Sequence, residues 1–230
     1  MWRIITELNG RSDAQMARDV ELAQDVTPTL RLFTWNPPAM SYGWRQELPS
    51  WMNVAACRAN GIELVERPTG GGIAFHGSDL SVSLVVPRAL ALPLESVMGA
   101  MCQASVRLCE TYGVEATCAL TSHEHARIMY CLTQPSPYAV FIDGRKVAGF
   151  ALRRYPQTWL IQGSLLARPL PEALRRVLPD DVAAELDARA VSLEEAARSD
   201  VKEEHLAERW GHAWSAWWNE ALCEPVEVST

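Results

Sequence analysis

The segment from residue 67 to residue 84 concentrates the side chains best suited to holding a ligand. Three consecutive glycines, residues 70–72, lie between the apolar runs 62–65 and 84–86. Glycine lacks a Cβ and reaches positive φ, so a ligand can lie directly against its backbone. A tight turn would also use a glycine or two, but here Arg67 precedes the run and His76 and Asp79 follow it. The pattern predicts a loop that faces an elongated ligand, with a purely structural turn as the alternative.

The cysteines are the second set of residues that could carry chemistry. They lack Cys-x-x-Cys spacing and are spread over a long chain, which argues against a zinc site and against a disulfide framework. We therefore expect reduced thiols at Cys57, Cys102, Cys109, Cys118, Cys131 and Cys223. Most have apolar neighbours, as expected for small buried side chains. Cys131 is the exception, because it follows His123 and His125 in the irregular segment 121–137; without a second cluster at metal-ligand spacing, no metal site is predicted.

A β-hairpin positions the third candidate, Lys146. The dipeptide Asp143-Gly144 between two apolar runs is typical of a type I′ turn. A two-residue turn places Ile142 opposite Arg145 and Phe141 opposite Lys146. Gly149 follows three residues later, where the strand is expected to pass a ligand closely.

Hydrophobic periodicity and turn signals predict the remaining elements. Strands are expected at residues 30–35, 40–44, 62–65, 114–120, 138–142, 145–152 and 158–166. Helices are expected at residues 14–23, 50–59, 93–112, 171–178, 180–188, 192–198 and 201–222. Ser12 or Asp13 is expected to cap the first helix, and Pro49 to begin the second. In the last helix, a stripe of Trp210, Trp214, Trp217 and Trp218 predicts core packing.

Composition limits the class of protein. With 230 residues, 48% of them hydrophobic and 21% charged, we expect one globular domain, with a core over about 1–166 and a helical segment over about 167–230. The net charge of −7 gives no reason to expect nucleic-acid binding. The sequence has neither an apolar run of membrane-spanning length nor a signal-peptide pattern, so no membrane association and a cytoplasmic location are expected.

Three ordered motifs resemble the lipoate–protein ligase A and octanoyltransferase family, which is related to biotin protein ligases. They are residues 67–76 (RPTGGGIAFH), 144–154 (GRKVAGFALRR) and 163–166 (GSLL), and the segment 32–46 also looks like the entry strands of that family. The resemblance implies an α/β (α+β) fold in which a mixed sheet flanked by helices carries a tunnel for a fatty-acyl or lipoyl chain. It assigns substrate binding to Arg67, Gly70, Gly71, Gly72, His76, Gly149, Gly163 and Ser164.

Within this family the choice of chemistry depends on a cysteine. Residues 131–138 (CLTQPSPY) look like the cysteine segment of the cysteine-dependent octanoyltransferases and replace the Gly-Arg-Asn-Asp type segment of ligases. This implies that Cys131 is the nucleophile and that Lys146 lowers its pKa and polarises the substrate. The octanoyl group would come from an acyl carrier protein and go to a lysine of a lipoyl domain, in the glycine cleavage H protein or a dehydrogenase E2 subunit. No cofactor is expected.

The acidic partners of such a transferase call for a local basic rim. The arginines available for it are Arg145, Arg153, Arg154, Arg168, Arg175 and Arg176, with an ordinary solvated surface as the alternative.

Two positions depart from the family pattern. Glu66 stands where relatives usually have an arginine, and Gln162 stands where octanoyltransferases often have a histidine. Two alternatives therefore stay open beside the transferase: an ATP- and Mg-dependent lipoate ligase without its accessory domain, and a non-catalytic acyl- or lipoyl-binding protein.

Overall fold

The computed structural model describes residues 2–119, 129–134 and 136–222; for residue 203 and residues 217–222 it describes only the backbone. The predicted mixed β-sheet with flanking helices is confirmed. The larger sheet has seven strands in the described part of the chain: β1 (Arg3–Gly10), β2 (Thr29–Trp35), β6 (Asp79–Pro87), β7 (Thr117–Ala119), β8 (Ala139–Ile142), β9 (Arg145–Arg154) and β10 (Thr158–Leu166). Their order across the sheet is β1-β2-β6-β10-β9-β8-β7. Only the β1–β2 pair is parallel among these described strands.

A smaller sheet of three described strands packs beside the larger one. It contains β3 (Ala39–Tyr42), β4 (Glu63–Glu66) and β5 (Ala74–His76), in the order β4-β3-β5. The segment between β4 and β5 is the glycine-rich loop. Because β5 leads directly into β6, this loop lies where the two sheets meet.

The helices cover the sheets. They are α1 (Ser12–Gln24), α2 (Val54–Ala59), α3 (Leu94–Glu110), α4 (Glu172–Arg175), α5 (Asp180–Arg189), α6 (Leu193–Ala197) and α7 (Glu203–Leu222), with a short 3-10 helix at Arg88–Leu90. None of the helices in the described ranges is long and apolar enough to cross a membrane. Trp210 and Trp214 of α7 are buried in the core with α3, as predicted, while the side chains of Trp217 and Trp218 lie outside the described residues.

Strand β6 separates the core from the site. Its even-numbered residues Leu80, Val82 and Leu84 join the core formed with α3 and α7. The intervening Asp79 and Ser81 are also buried, on the opposite face. The fold therefore buries a row of polar side chains on the side of the sheet that faces α1 and the small sheet.

Two helix predictions differ from the structure. The second helix begins at Val54 rather than near Pro49, because the side chain of Asn53 caps it by accepting from the backbone N–H groups of Ala55 and Ala56. The first helix begins at Ser12, with Arg11 at the cap position and no side-chain cap. Its buried face includes the polar Gln15 and Asp19, while Ala17 is exposed.

Candidate active site

A cavity lies between the two sheets. Its walls come from α1, from the loop after β4, from the segment around residue 131 and from strands of both sheets. The lining residues are Met16, Phe33, Trp35, Ser41, Arg67, Ala74, His76, Ser81, Cys131, Gly149, Phe150, Ala151, Gln162, Gly163 and Ser164. The cavity thus brings together six of the predicted site residues, from positions up to 97 residues apart in the chain: Arg67, His76, Cys131, Gly149, Gly163 and Ser164.

The glycine loop wraps around the Arg67 side chain. Its Nη2 donates to the carbonyl oxygens of Gly70 at 2.8 Å and Gly72 at 2.6 Å. Gly71 has a φ of +91°, and the carbonyl of the same residue packs so closely on Gly43 that a Cβ there would overlap it. The three glycines lie outside the cavity lining. In this structure the backbone carbonyls of Gly70 and Gly72 accept hydrogen bonds from Arg67, which lines the cavity.

Cys131 is held beside the glycine loop by backbone hydrogen bonds. Its N–H donates to the carbonyl of Ile73 at 2.8 Å, and the N–H of Ile73 donates to Met129 at 2.7 Å. The neighbouring side chains of Tyr130 and Leu132 are buried in the core under the small sheet. These contacts anchor the chain on both sides of Cys131 while its thiol faces the cavity.

Lys146 reaches Cys131 from strand β9. The hairpin has the predicted register, with Phe141 opposite Lys146 and Ile142 opposite Arg145. Lys146 Cε and Nζ lie 3.0 and 3.1 Å from the position that a Cβ would take at Gly149, and Cys131 Sγ lies 3.4 Å from the same point. The missing side chain at Gly149 therefore lets the ammonium group and the thiol approach each other.

The Lys146 side chain is 2% exposed and has no carboxylate partner among the described residues. Its Nζ donates to Cys131 O at 2.6 Å, Gln134 O at 3.3 Å and Ser136 Oγ at 2.7 Å. Burial lowers the pKa of Lys146 below its ordinary value of 10.5, and Cys131 opposes that shift. A buried cation next to a thiol favours the thiolate form, which is the nucleophilic form of cysteine.

His76 belongs to a chain of buried hydrogen bonds. Its Nε2 lies 2.8 Å from Ser41 Oγ, and its Nδ1 lies 2.8 Å from Asp79 Oδ2. The imidazole stacks on Trp35, with ring centroids 4.1 Å apart. Asp79 also accepts from Ser164 Oγ at 2.7 Å. Burial opposes ionisation of Asp79, but the imidazole and the neighbouring hydroxyls outweigh burial, so the pKa of this carboxyl lies below its ordinary value.

Gln162 links the cavity to a buried ion pair. Its Oε1 accepts from Thr69 Oγ1 at 2.6 Å, and its Nε2 donates to Asp19 Oδ2 at 2.5 Å. Asp19 pairs with Arg31 at 2.7 Å, and burial raises the pKa of this carboxyl despite that cation. The Gln162 amide therefore accepts from the Thr69 hydroxyl and donates to the Asp19 carboxylate at the same time.

Glu66 is the other residue that departs from the family pattern. It accepts from the backbone N–H of Arg45 at 2.6 Å at the surface.

Sequence reasoning missed four of the polar residues around the site: Ser41, Asp19, Arg31 and Gln15. Arg31 lies in the middle of a strand with no other charged residue, which is a signal for a buried, paired charge. Its partners could not be chosen from the sequence, since Asp19 and Gln15 lie on a different element, helix α1.

Gly163 is required by the ring of Phe150, which a Cβ at position 163 would overlap. Both residues line the cavity, so this contact fixes the aromatic wall beside Ser164.

Reduced cysteines were predicted, and the described ones are free thiols: Cys57, Cys102, Cys109, Cys118 and Cys131. His123 and His125 lie outside the described residues. Among the residues that are described, no three His, Cys, Asp or Glu side chains gather in a metal-binding group.

Residues 12–214 match the lipoyl protein ligase A/B catalytic domain. The chain belongs to this family. Octanoyltransferase LipM of Kyrpidia tusciae is 32% identical over 94% of this chain and 88% of that protein. Octanoyltransferase LipM of Symbiobacterium thermophilum is also 32% identical, over 80% of this chain and 72% of that protein.

Solved structures show the same ligase-type fold. A lipoate-protein ligase A bound with ATP superimposes with a TM-score of 0.71, at 19% identity over 96% of this chain and 86% of that one. The bi-partite lipoate protein ligase of Thermoplasma acidophilum gives a TM-score of 0.69, at 20% identity over 96% and 84% of the two chains. The family resemblance drawn from the three sequence motifs is thereby confirmed.

Proposed function

We propose that this protein moves an octanoyl group from a carrier-protein thioester to a lysine of a lipoyl-domain protein through a covalent thioester on Cys131. The chain is an octanoyltransferase of lipoate biosynthesis. Relatives that match it over most of its length are named for this activity. The covalent route, the donor and the acceptor are the proposed parts. The observation that carries the route is the approach of Lys146 Nζ and Cys131 Sγ to the same point beside Gly149, at the wall of the cavity.

The first half-reaction is a thioester exchange. The Cys131 thiolate attacks the octanoyl carbonyl, a new carbon–sulfur bond forms, and the bond to the carrier sulfur breaks. The carrier thiolate leaves with the electron pair and takes a proton from solvent. The Lys146 ammonium stays protonated and stabilises negative charge on sulfur before the attack and on the carbonyl oxygen during it.

The second half-reaction forms the amide. The neutral ε-amine of the acceptor lysine attacks the Cys131 thioester, the carbon–nitrogen bond forms, and Cys131 leaves as a thiolate beside Lys146. The attacking nitrogen gives up one proton to solvent. Neither half-reaction consumes a nucleotide, so we expect no requirement for ATP, Mg or any other cofactor.

We infer that the donor docks on the surface around Trp44. This ring is 46% exposed, and the guanidinium groups of Arg45 and Arg153 lie 4.2 and 4.5 Å from its centroid. Of the six predicted rim arginines, Arg145, Arg175 and Arg176 instead form ion pairs with Glu195, Asp187 and Glu172. We therefore propose that the acidic acyl carrier protein docks near Arg153 rather than around all six arginines.

The acceptor is inferred from the family. The bi-partite ligase of similar fold is described together with its E2 lipoyl domain. We infer that a lipoyl domain, in an E2 subunit or in the glycine cleavage H protein, supplies the lysine amine that the second half-reaction needs.

The covalent route can be tested by intact mass. Incubation with octanoyl carrier protein and without ATP is expected to add one octanoyl group that hydroxylamine removes. Cys131→Ser is expected to abolish the adduct, because an alcohol is a far weaker nucleophile than a thiolate at neutral pH. Cys57→Ser is a matched control, since this buried thiol lies outside the cavity, and it should leave the adduct unchanged.

Other results would point elsewhere. ATP-dependent loading of free lipoate without an adduct would indicate the ligase. Tight binding of octanoate or lipoate with neither reaction would indicate a binding protein.

A further inference from the structure

Two buried arginines differ in their partners. Arg31, 1% exposed, pairs with Asp19 at 2.7 Å and with Glu7 at 2.5 Å. Arg67, 7% exposed, donates to Ser41 O at 3.2 Å and Ser41 Oγ at 3.3 Å, and to the two glycine-loop carbonyls. No described carboxylate lies within ion-pair distance of Arg67. Burying a guanidinium without a paired anion is costly. We therefore expect another group near Arg67 to supply a negative charge.

The connection from Arg67 to Cys131 runs through the glycine loop. Arg67 Nη2 binds the carbonyl of Gly72, and the next carbonyl, that of Ile73, accepts from the N–H of Cys131. Arg67 and Cys131 both line the cavity. Burial lowers the pKa of Arg67 while the Cys131 charge raises it, as expected for two groups close enough to interact.

A directed chain of hydrogen bonds holds Arg67 from its other side. Arginine can only donate, so Ser41 Oγ accepts from Arg67 and its own O–H is free to point to His76 Nε2. The imidazole then carries its proton on Nδ1 and donates to Asp79.

We propose that Arg67 is a second cation that stabilises the Cys131 thiolate together with Lys146, and that Ser41, His76 and Asp79 are positioning residues that hold its guanidinium. This inference rests on the proposed role of Cys131 as the nucleophile. It extends the role of Arg67 from substrate binding to the reactivity of the enzyme itself.

The pH dependence of Cys131 alkylation tests it without acyl transfer. The rate of carboxamidomethylation of the Cys131 peptide by iodoacetamide follows the thiolate fraction. Near pH 6, Arg67→Gln is expected to slow this rate about tenfold, since losing a nearby opposite charge shifts a pKa by about one unit or more. At alkaline pH, where thiols ionise without the help of a cation, the two rates should converge. Arg67→Lys should recover part of the loss.

The positioning residues have their own readout. Ser41→Ala is expected to shift the alkylation profile in the same direction by less than Arg67→Gln, because the guanidinium remains but loses one acceptor. A purely structural role would lower the melting temperature and leave the profile in place. If Arg67→Gln does not fold, Ser41→Ala and Arg67→Lys carry the test.

Profiles of folded variants that superimpose on the unmodified enzyme would overturn the proposal. A shifted profile without any octanoyl adduct would keep the electrostatic inference and remove the proposed transfer. An adduct with unshifted profiles would do the reverse.

Discussion

The close approach of Cys131 and Lys146 depends on a side chain that is absent. Gly149 was predicted from the sequence as a point of close passage, but the neighbour was expected to be a ligand. The structure places the end of the Lys146 side chain and the Cys131 sulfur there. Local spacing could suggest the glycine's role, whereas the identity of the contacting atoms depends on residues from a different segment.

Gly149→Ala should separate activity from stability. The new Cβ would lie 3.0 Å from Lys146 Cε and 3.1 Å from its Nζ, so the lysine must move. Because the displaced atoms end a flexible side chain, we expect the free energy of unfolding to change by less than about 1 kcal/mol. Acyl transfer should fall at least about tenfold, since small displacements at a reacting centre are costly.

Gly99→Ala in α3 is the matched control. Its Cβ would meet nothing within 4 Å, so it should stabilise the helix by about 0.5–1 kcal/mol and leave the rate unchanged. Equal rates for Gly149→Ala and Gly99→Ala, measured by octanoyl transfer at saturating donor, would contradict the role given to Gly149.

Among the elements, the β8–β9 hairpin was the most predictable. Asp143 and Gly144 have φ values of +48° and +76°, as a type I′ turn requires, and this local chemistry fixes the register at Lys146. The second helix was less predictable. Pro49 suits a helix start, but Asn53 provides the cap hydrogen bonds, and both signals occur in the same short stretch. Such competing local signals are decided by tertiary packing rather than by sequence alone.

Gly144→Val should destabilise the hairpin. A β-branched residue at a φ of +76° costs about 1–3 kcal/mol, which for a domain of this size corresponds to a fall of a few degrees in melting temperature. Gly144→Asn should cost much less, because asparagine tolerates the left-handed region. Calorimetry of the two variants tests this prediction. Equal melting temperatures would show that position 144 does not require a residue that tolerates positive φ.

At the scale of the whole molecule, the site joins segments that are distant in sequence. The linker between α5 and α6 pairs with β9, where the N–H of Val191 donates to Lys146 O at 3.1 Å. Thr69 and Gln162 meet at 2.6 Å although 93 residues separate them. The family and its sheet could be predicted from three motifs, but contacts of this range follow from the packing of complete elements.

The buried ammonium of Lys146 should affect global stability in a pH-dependent way. Its pKa in the folded protein is lower than the ordinary 10.5 that applies to the unfolded chain. Between these two values the unfolded chain binds more protons, so the free energy of unfolding rises with pH in that interval. Relative to Lys146→Met, the unmodified protein should therefore gain stability as the pH rises through the interval below about 10.5.

Lys202→Met provides the control, because Lys202 is exposed at the surface. Its urea-unfolding curves should keep a constant offset from those of the unmodified protein across the same pH range. Parallel curves for Lys146→Met as well would contradict the effect of burial on Lys146.

The three acceptors around Lys146 have a further consequence. The sequence contains two lysines, Lys146 and Lys202, and Lys146 lies beside the cysteine proposed to carry the acyl group. A neutral amine on Lys146 would attack the adjacent thioester. The resulting amide would inactivate the enzyme irreversibly. With its three N–H bonds directed at Cys131 O, Gln134 O and Ser136 Oγ, the ammonium presents no lone pair to the thioester. If Cys131 carries the acyl group as proposed, the hydrogen bonds that hold the cation would also keep Lys146 from capturing that group.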